Sequence, residues 1–202
     1  MPAFDTIILL TGQVEQQPLS AALLAWNSLL RIVPVSTLSD LLALDPETLN
    51  HARLVAFSTN VIVPAATLNR LGFGAYNFHP ASPDFPGWAP AYLALHRGAG
   101  EFGATAHMMT ERVDEGPIVG VERFRIPPQT SPASLEGLAY GHLALLFWRF
   151  AKLLATQDAP LPPLWIKWRG EKSSRRLFRT ILQQAADVSD EALIQAMRAS
   201  IG

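Results

Sequence analysis

The chain has 202 residues, of which 49% are hydrophobic and 16% are charged, and its formal net charge at pH 7 is -1. This composition argues against disorder, and the balanced charge excludes a global field that would recruit nucleic acid or an anionic membrane. The chain contains no cysteine, which excludes disulfides, thiolate metal sites and a cysteine nucleophile.

The chain is expected to form one soluble, cytoplasmic domain. Residues 1–5 lack the basic and apolar regions of a signal peptide. No stretch approaches the roughly 18 to 20 uninterrupted apolar residues of a membrane span. We expect a single domain over residues 1–202, on which residues 160–202 pack as a C-terminal extension.

The first half of the chain is predicted to alternate strands with helices. Short apolar runs predict strands at residues 6–10, 32–35, 54–57 and 74–78. Helices are predicted from Pro18 to Leu30, near residues 38–44 and from Pro64. Pro34 places the second strand at a sheet edge, because proline cannot donate to a neighbouring strand. This alternation is typical of a mostly parallel sheet covered on both faces.

The second half is predicted to add antiparallel strands and a long helix. A proline-rich loop covers residues 80–90, and Pro90 begins a helix that ends at Gly98. Strands at 105–109 and 118–126 flank a turn that contains Asp114 and Gly116. The remaining predictions are a long helix capped by Ser131, a short strand at 164–166 and a helix at 190–199 capped by Ser189. The fold class is α/β, a three-layer sandwich with a mostly parallel, Rossmann-like sheet that antiparallel strands extend.

Two polar side chains are predicted to converge at the end of the fourth strand. Residues two apart on a strand point the same way, so Asn77 and His79 face one side. Pro80 keeps His79 extended and preserves that alignment. Ligands bind open parallel sheets beyond the carboxyl ends of the strands. An amide and an imidazole at that place can both stabilise a developing oxyanion.

Asp114 supplies a carboxylate for the same site. It lies in a tight turn whose geometry Gly116 permits. A carboxylate near His79 would favour the imidazolium and could itself take up protons. Such a set needs neither a metal nor a covalent nucleophile to move an acyl group onto an amine, and no histidine spacing in the chain predicts a zinc site.

Several motifs occur in an order that resembles one enzyme family. They are Asn77-Phe78-His79-Pro80, Phe85-Pro86-Gly87, the stretch from Gly103 to His107, and the stretch from Val113 to Val119. Together they resemble the formyltransferase family, which includes methionyl-tRNA, glycinamide ribonucleotide and sugar-amine N-formyltransferases and formyltetrahydrofolate hydrolase. The resemblance covers about residues 53 to 128, and it implies the formyltransferase fold.

The resemblance also implies roles for individual residues. Asn77 and His79 would stabilise the formyl oxygen, and Asp114 would organise proton transfer from the attacking amine. The donor would be 10-formyltetrahydrofolate, and the acceptor a small-molecule primary amine, with an amino sugar as one candidate. The residues implied in binding the cosubstrate are Phe57, Val61, Thr110, Glu111, Arg112 and Val113. Thr11-Gly12-Gln13-Val14 replaces the Gly-Ser-Asn loop of the purine-pathway enzyme, which disfavours glycinamide ribonucleotide as acceptor.

Three other functions stay open at this point. Water could take the formyl group at the same residues, which would make the protein a 10-formyltetrahydrofolate hydrolase. A shortened N-terminal half would suit a non-catalytic folate- or metabolite-binding protein on a degenerate fold. The third function is that of a dinucleotide-dependent oxidoreductase, because residues 98–103 match the dinucleotide fingerprint. These residues leave a predicted helix and enter a strand, however, which is the reverse of the order that the fingerprint requires.

Two further features have a structural interpretation that we favour over a functional one. His107 alternates along a predicted strand and is interpreted as a core histidine. A basic cluster is interpreted as a solvated face rather than an anion or tRNA contact; it consists of Lys167, Arg169, Lys172, Arg175, Arg176 and Arg179. Membrane and nucleic-acid partners are not expected, and Trp165 and Trp168 leave a homodimer surface open.

Overall fold

The protein is described by a computed structural model that covers residues 3–187, with side chains described as far as Ile181. Six strands form one sheet in the order β2-β1-β3-β4-β5-β6. The strands are β1 (Thr6–Leu10), β2 (Arg31–Val35), β3 (Ala52–Phe57), β4 (Ala75–His79), β5 (Glu101–Met108) and β6 (Ile118–Arg125). The helices are α1 (Gln13–Leu24), α2 (Leu38–Leu42), α3 (Pro46–Asn50), α4 (Ala65–Leu68), α5 (Pro90–His96), α6 (Pro132–Thr156) and α7 (Arg175–Asp187).

The sheet confirms the predicted fold class. Strands β1 to β4 pair in parallel, whereas β5 and β6 extend the sheet in antiparallel fashion. Alternate residues of the buried strand β1 enter different cores: Ile7 and Leu9 pack in the cluster that contains Phe147 of α6. Ile8 packs on the opposite face with Leu41 of α2. Burial on both faces explains the continuous apolar runs in β1 and β3.

Helix α1 begins earlier and ends earlier than predicted. It starts at Gln13, so Pro18 lies inside the helix instead of opening it, and it ends at Leu24 rather than Leu30. Proline removes the hydrogen bond to the carbonyl four residues before it. The carbonyl that loses its donor here is that of Val14. Because both Val14 and Pro18 are exposed, water can donate to this carbonyl instead. Helix α3 was not predicted.

Residues 157–174, which connect α6 and α7, contain no strand, so the prediction of a strand at residues 164–166 is wrong. A single backbone hydrogen bond joins this segment to β6, from Leu164 N–H to Ile118 O at 2.7 Å. The prolines at 162 and 163 cannot donate to a ladder, and the Trp165 side chain is fully exposed. The apolar residues at 164–166 therefore lie on the surface rather than in the core. The predicted helix at 190–199 and its Ser189 cap lie outside the described residues.

Arg53 closes the C-terminal end of α6 from inside the sheet. Its side chain is completely buried and donates to Leu154 O at 2.7 Å, Phe73 O at 3.2 Å and Ala159 O at 3.4 Å. Its guanidinium also lies 4.8 Å from the centre of the Phe4 ring. A cation at the C-terminus of a helix satisfies carbonyls that the helix leaves unpaired. Helix α6 is thereby fixed on the sheet; among the described helices none has the length and apolarity to cross a membrane.

Candidate active site

A cleft of about 830 Å³ lies beyond the carboxyl ends of β3 and β4. Its volume falls within the range of roughly 300–1,000 Å³ of small-molecule sites. Six separate stretches of sequence form its walls. They are residues 58–63, 77–80, 87–92, 107–114, 136–140 and 172–175, each represented by at least two lining residues.

Asn77 is oriented by a histidine on the neighbouring strand. Asn77 and His107 are directly paired in the antiparallel register of β4 and β5. The His107 Nδ1–H donates to Met108 O at 2.8 Å, which leaves a lone pair on Nε2. We therefore assign the contact of 3.2 Å between Asn77 Nδ2 and His107 Nε2 to donation by the amide. The second hydrogen of that amide remains available to a ligand in the cleft.

His79 lies at the end of β4 with its ring almost completely buried. Its Nε2–H donates to Phe85 O at 3.2 Å, and its Nδ1 lies 3.7 Å from Asp114 Oδ2. Burial lowers the pKa of the His79 imidazole, and the opposing effect of Asp114 does not offset it. The resting imidazole is therefore neutral, with Nδ1 as the atom that can accept a proton.

Asp114 is held in a strained backbone conformation between β5 and β6. Its φ is 51°, in the left-handed region that non-glycine residues seldom adopt. Asp114 Oδ2 accepts a hydrogen bond of 2.9 Å from Gly87 N–H. Asp114 Oδ1 lies 3.3 Å from His107 Nε2, but within the described chain it has no partner with hydrogen-bond geometry. A buried carboxylate oxygen without a partner marks the place where a ligand N–H can bind.

The Asp114 carboxyl remains ionised despite this burial. Burial raises the pKa of Asp114, but His79, His107 and the Gly87 N–H lower it, and together their effect is larger than that of burial. The net pKa lies below the usual range of an aspartate. The resting site therefore pairs a neutral imidazole with an ionised carboxylate, and the pair has room for one more proton.

Gly87 brings the proline-rich loop to Asp114. Its φ is 98°, and a Cβ at this position would lie 2.2 Å from Ser173 O, closer than any real contact. The Ser173 hydroxyl oxygen lies 3.0 Å from Pro86 O and 2.5 Å from Trp88 O, and its one hydrogen is shared between these two carbonyls. Glycine is therefore required where the loop presents its N–H to the carboxylate.

Most residues implied in cosubstrate binding line the cleft, namely Val61, Thr110, Glu111, Arg112 and Val113. Phe57 does not. Its side chain is 1% exposed and packs edge-on against Phe147 in the core. Its carbonyl accepts the Thr11 hydroxyl. Apolar packing therefore holds the Phe57 side chain away from the cleft, and a role of Phe57 in cosubstrate binding stays a prediction.

Sequence reasoning missed several residues of the site. His107 was interpreted as a core histidine; it is buried, but it lines the cleft between Asn77 and Asp114. Its position opposite Asn77 becomes visible only when β4 and β5 are paired in register. Lys172 and Arg175 of the basic cluster also line the cleft, as do Glu136 and Tyr140 of α6.

Two other kinds of site, for a metal ion and for a dinucleotide, can be compared with the structure. In the part of the chain that the structure describes, no three histidine, aspartate or glutamate side chains form a metal-binding group. Residues 98–103 follow α5 and run into β5, which begins at Glu101. This order, from a helix into a strand, is the reverse of that in the dinucleotide fingerprint.

Acidification is expected to destabilise the fold through His79. Its folded pKa lies below the unfolded value of 6.5, so the unfolded chain binds the proton first as the pH falls. The stability contributed by the neutral ring is present above pH 6.5 and is lost as the pH falls toward the folded pKa. Urea denaturation of wild type and His79→Asn between pH 7.5 and pH 5 should show a shallower pH dependence in the variant.

A matched control for this measurement is His96→Asn. The His96 side chain is exposed, so its replacement should leave the pH dependence of the unfolding free energy as in wild type. Parallel curves for wild type and His79→Asn would contradict the assignment of a neutral, buried imidazole at position 79.

Both the sequence and the fold of this chain are similar to those of known proteins. Residues 44–138 match the model of the formyl transferase family. The chain is 30% identical over 151 residues to methionyl-tRNA formyltransferase of Chlorobium chlorochromatii. That match covers 65% of the chain but 45% of the relative, so the chain spans less than half of this relative's length.

Solved structures share the fold at lower sequence identity. A sugar N-formyltransferase from a Shewanella species has a TM-score of 0.72 at 14% identity, covering 89% of this chain and 80% of that one. The formyltransferase PseJ of Anoxybacillus kamchatkensis, solved in complex with UDP-4,6-dideoxy-4-formamido-L-AltNAc and tetrahydrofolate, has a TM-score of 0.67 at 17% identity. The match covers 94% of this chain and 97% of PseJ. These likenesses confirm the architecture.

Proposed function

From the match of residues 44–138 to the formyl transferase family, we propose that the chain transfers a formyl group from 10-formyltetrahydrofolate to a primary amine of an amino sugar. The observation that carries the proposal is the buried, unpaired Asp114 Oδ1 beside two groups suited to an oxyanion. In the proposed reaction the cosubstrate supplies an activated formyl group. The residues of this chain orient the reactants, stabilise the developing charge and accept the proton that the amine releases.

The oxyanion is stabilised from the β4 side of the cleft. As the amine lone pair forms a bond to the formyl carbon, negative charge develops on the formyl oxygen. The free hydrogen of the Asn77 amide is already oriented by His107, and so it costs no rearrangement to donate to that oxygen. His79, once it receives a proton on Nδ1, adds positive charge beside Asp114.

Proton movement is assigned to the pair of Asp114 and His79. The attacking amine becomes cationic when the new C–N bond forms, and Asp114 Oδ1 accepts its proton. The bond between the formyl carbon and N10 of the donor then breaks, and N10 leaves with one proton. The pair takes one proton from the attacking amine and gives one proton to N10, so it returns to its resting charge. Ionised Asp114 and neutral His79 are the states that this cycle needs at its start.

The outer part of the cleft supports a sugar-nucleotide acceptor. Lys172 and Arg175 bring two cations to its wall, and the Arg175 guanidinium lies 5.7 Å from the centre of the Trp88 ring. Cations beside an aromatic plane suit a diphosphate joined to a base or a sugar. A neighbour of the same fold, PseJ, was solved with a UDP-linked formamido sugar and tetrahydrofolate.

The proposal is tested by incubating the purified protein with 10-formyltetrahydrofolate and a panel of UDP- and dTDP-linked amino sugars. Mass spectrometry is expected to detect a formylated sugar, and its yield should match the tetrahydrofolate formed. The matched control is the same nucleotide sugar with a hydroxyl in place of the amine, which should not react. Saturable binding of a stable donor analogue without any product would contradict transfer and favour a binding protein.

Hydrolysis is the second candidate, because the same three groups could activate water. It predicts that formate, rather than a formylated amine, accumulates in equal amounts with tetrahydrofolate. Formate production that is unaffected by any amine would overturn transfer and establish hydrolysis. Formate production that an added amino sugar suppresses would indicate that water merely replaces a missing acceptor.

A further inference from the structure

Residues 168–173, which we name the strap, connect the two loops that carry the catalytic groups. On the loop before α5, Arg169 N–H donates to Pro83 O at 2.8 Å and Ser173 N–H donates to Pro86 O at 2.9 Å. On the connection between β5 and β6, the indole Nε1–H of Trp168 donates to Gly116 O at 2.8 Å. Lys172 Nζ donates to Val113 O at 2.5 Å. The strap lies outside the residues 44–138 that match the family model.

Trp168 is the member of the strap that contacts both histidines of the site. Its ring lies edge-to-face with His107, with centroids 5.0 Å apart and an interplanar angle of 87°. It contacts His79 with centroids 6.0 Å apart at 65°. Trp168 is absent from the cleft wall that Asn77, His79, His107 and Asp114 share. The indole therefore supports the imidazoles from behind and leaves the ligand side free.

Each imidazole has one hydrogen bond to a backbone carbonyl, and contact with the indole limits the remaining rotation about its Cβ–Cγ bond. His107 orients the Asn77 amide, and His79 faces Asp114 through a nitrogen 3.7 Å away. A rotation of either ring would move the oxyanion donor or the proton acceptor. One rigid indole that touches both rings, and also binds the turn after Asp114 through Gly116, fixes three groups at once.

We propose that Trp168 is a positioning residue, which holds the rings of His79 and His107 and the turn after Asp114 in their reactive arrangement. The kinetic part of this inference rests on the proposed function, whereas the geometric part does not. The proposal assigns Trp168 no contact with either substrate.

The geometric part is tested by NMR of the imidazole Cε1–Hε1 signals, assigned with single histidine variants. Trp168→Leu removes the ring and the N–H, and Trp168→Phe keeps a ring but removes the N–H. The matched control is Trp165→Leu, three residues earlier and fully exposed. In Trp168→Leu the His79 and His107 signals should shift and change their nuclear Overhauser contacts with neighbouring residues, while Trp165→Leu leaves them unchanged. Unchanged signals in a folded Trp168→Leu would overturn the proposal.

The kinetic part is tested by comparing kcat and KM for these variants. Small misplacements of catalytic groups cost up to about a hundredfold in rate, so Trp168→Leu should lower kcat by about that factor with little change in the donor KM. Trp168→Phe should lower kcat by about three- to tenfold, as expected for one lost hydrogen bond. A purely structural role would instead lower stability with kcat per folded molecule unchanged, and that result would overturn the proposal.

The two proposals can fail separately. If wild type shows no transfer with any amine, the imidazole signals still report whether Trp168 holds the rings, and their shift in Trp168→Leu supports the positioning role. If Trp168→Leu does not fold, Trp168→Phe carries the test. Wild-type signals and wild-type kcat in Trp168→Phe would then overturn it.

Discussion

Asp114→Asn is expected to reduce turnover by about a thousandfold while the fold stays intact. The amide is nearly isosteric with the carboxylate, and its oxygen can still accept the hydrogen bond that Gly87 N–H donates to Asp114. It cannot accept the proton that the attacking amine releases, nor stabilise a protonated His79. Losses of this size are typical when one member of a catalytic set is removed.

This prediction is checked by single-turnover kinetics together with binding of a stable donor analogue. The rate should fall while the dissociation constant of the analogue changes by less than about threefold, because the carboxylate acts mainly in the reaction. Glu115→Gln is the matched control, since Glu115 lies in the same turn with its side chain 42% exposed. It should keep turnover within about twofold of wild type. A rate for Asp114→Asn within tenfold of wild type would remove Asp114 from its assigned role.

Arg53→Leu is expected to lower the free energy of unfolding by about 3 kcal/mol. Replacing a buried ion by an apolar residue can be neutral when both partners are replaced. Here the carbonyls of Phe73, Leu154 and Ala159 would stay buried and lose their donor. Each unsatisfied group costs about 1–3 kcal/mol, of which relaxation at the end of α6 recovers a part.

Urea denaturation at pH 7 measures this effect from the midpoint and slope of the transition. Arg112→Leu is the matched control, because Arg112 forms an ion pair with Glu115 in which the two side chains are 81% and 42% exposed. Exposed pairs of this kind contribute about 1 kcal/mol or less. Equal unfolding free energies for the two variants would show that the carbonyls around Arg53 find other donors.

The elements that could be predicted from the sequence are those fixed by local chemistry. The run of β1 was predicted with its observed bounds, since burial on both faces makes four of its five residues apolar. Ser131 and Pro132 begin α6 as predicted, with the serine hydroxyl accepting from Ser134 N–H. Pro34 lies on β2, which is an edge strand. In each case the signal lies within a few residues of the feature.

The features that sequence reasoning missed depend on contacts between distant segments. His107 enters the site because β5 runs antiparallel to β4 and pairs it with Asn77. Trp168 reaches the histidines from a segment read from the sequence as a strand followed by a basic surface. Arg53 looks like a polar break before an apolar run, and its acceptors in α6 lie about a hundred residues away. No local pattern encodes such pairings, because register and loop path decide them.

The position of the strap in the chain has a consequence for protein synthesis. The N-terminal part of a chain is synthesised first, and the six strands of the sheet are complete at Arg125. The strap follows more than forty residues later, after α6. The nascent sheet can therefore form while the histidine rings still lack their indole support. Productive chemistry would have to wait until the strap has been synthesised and Trp168 docks.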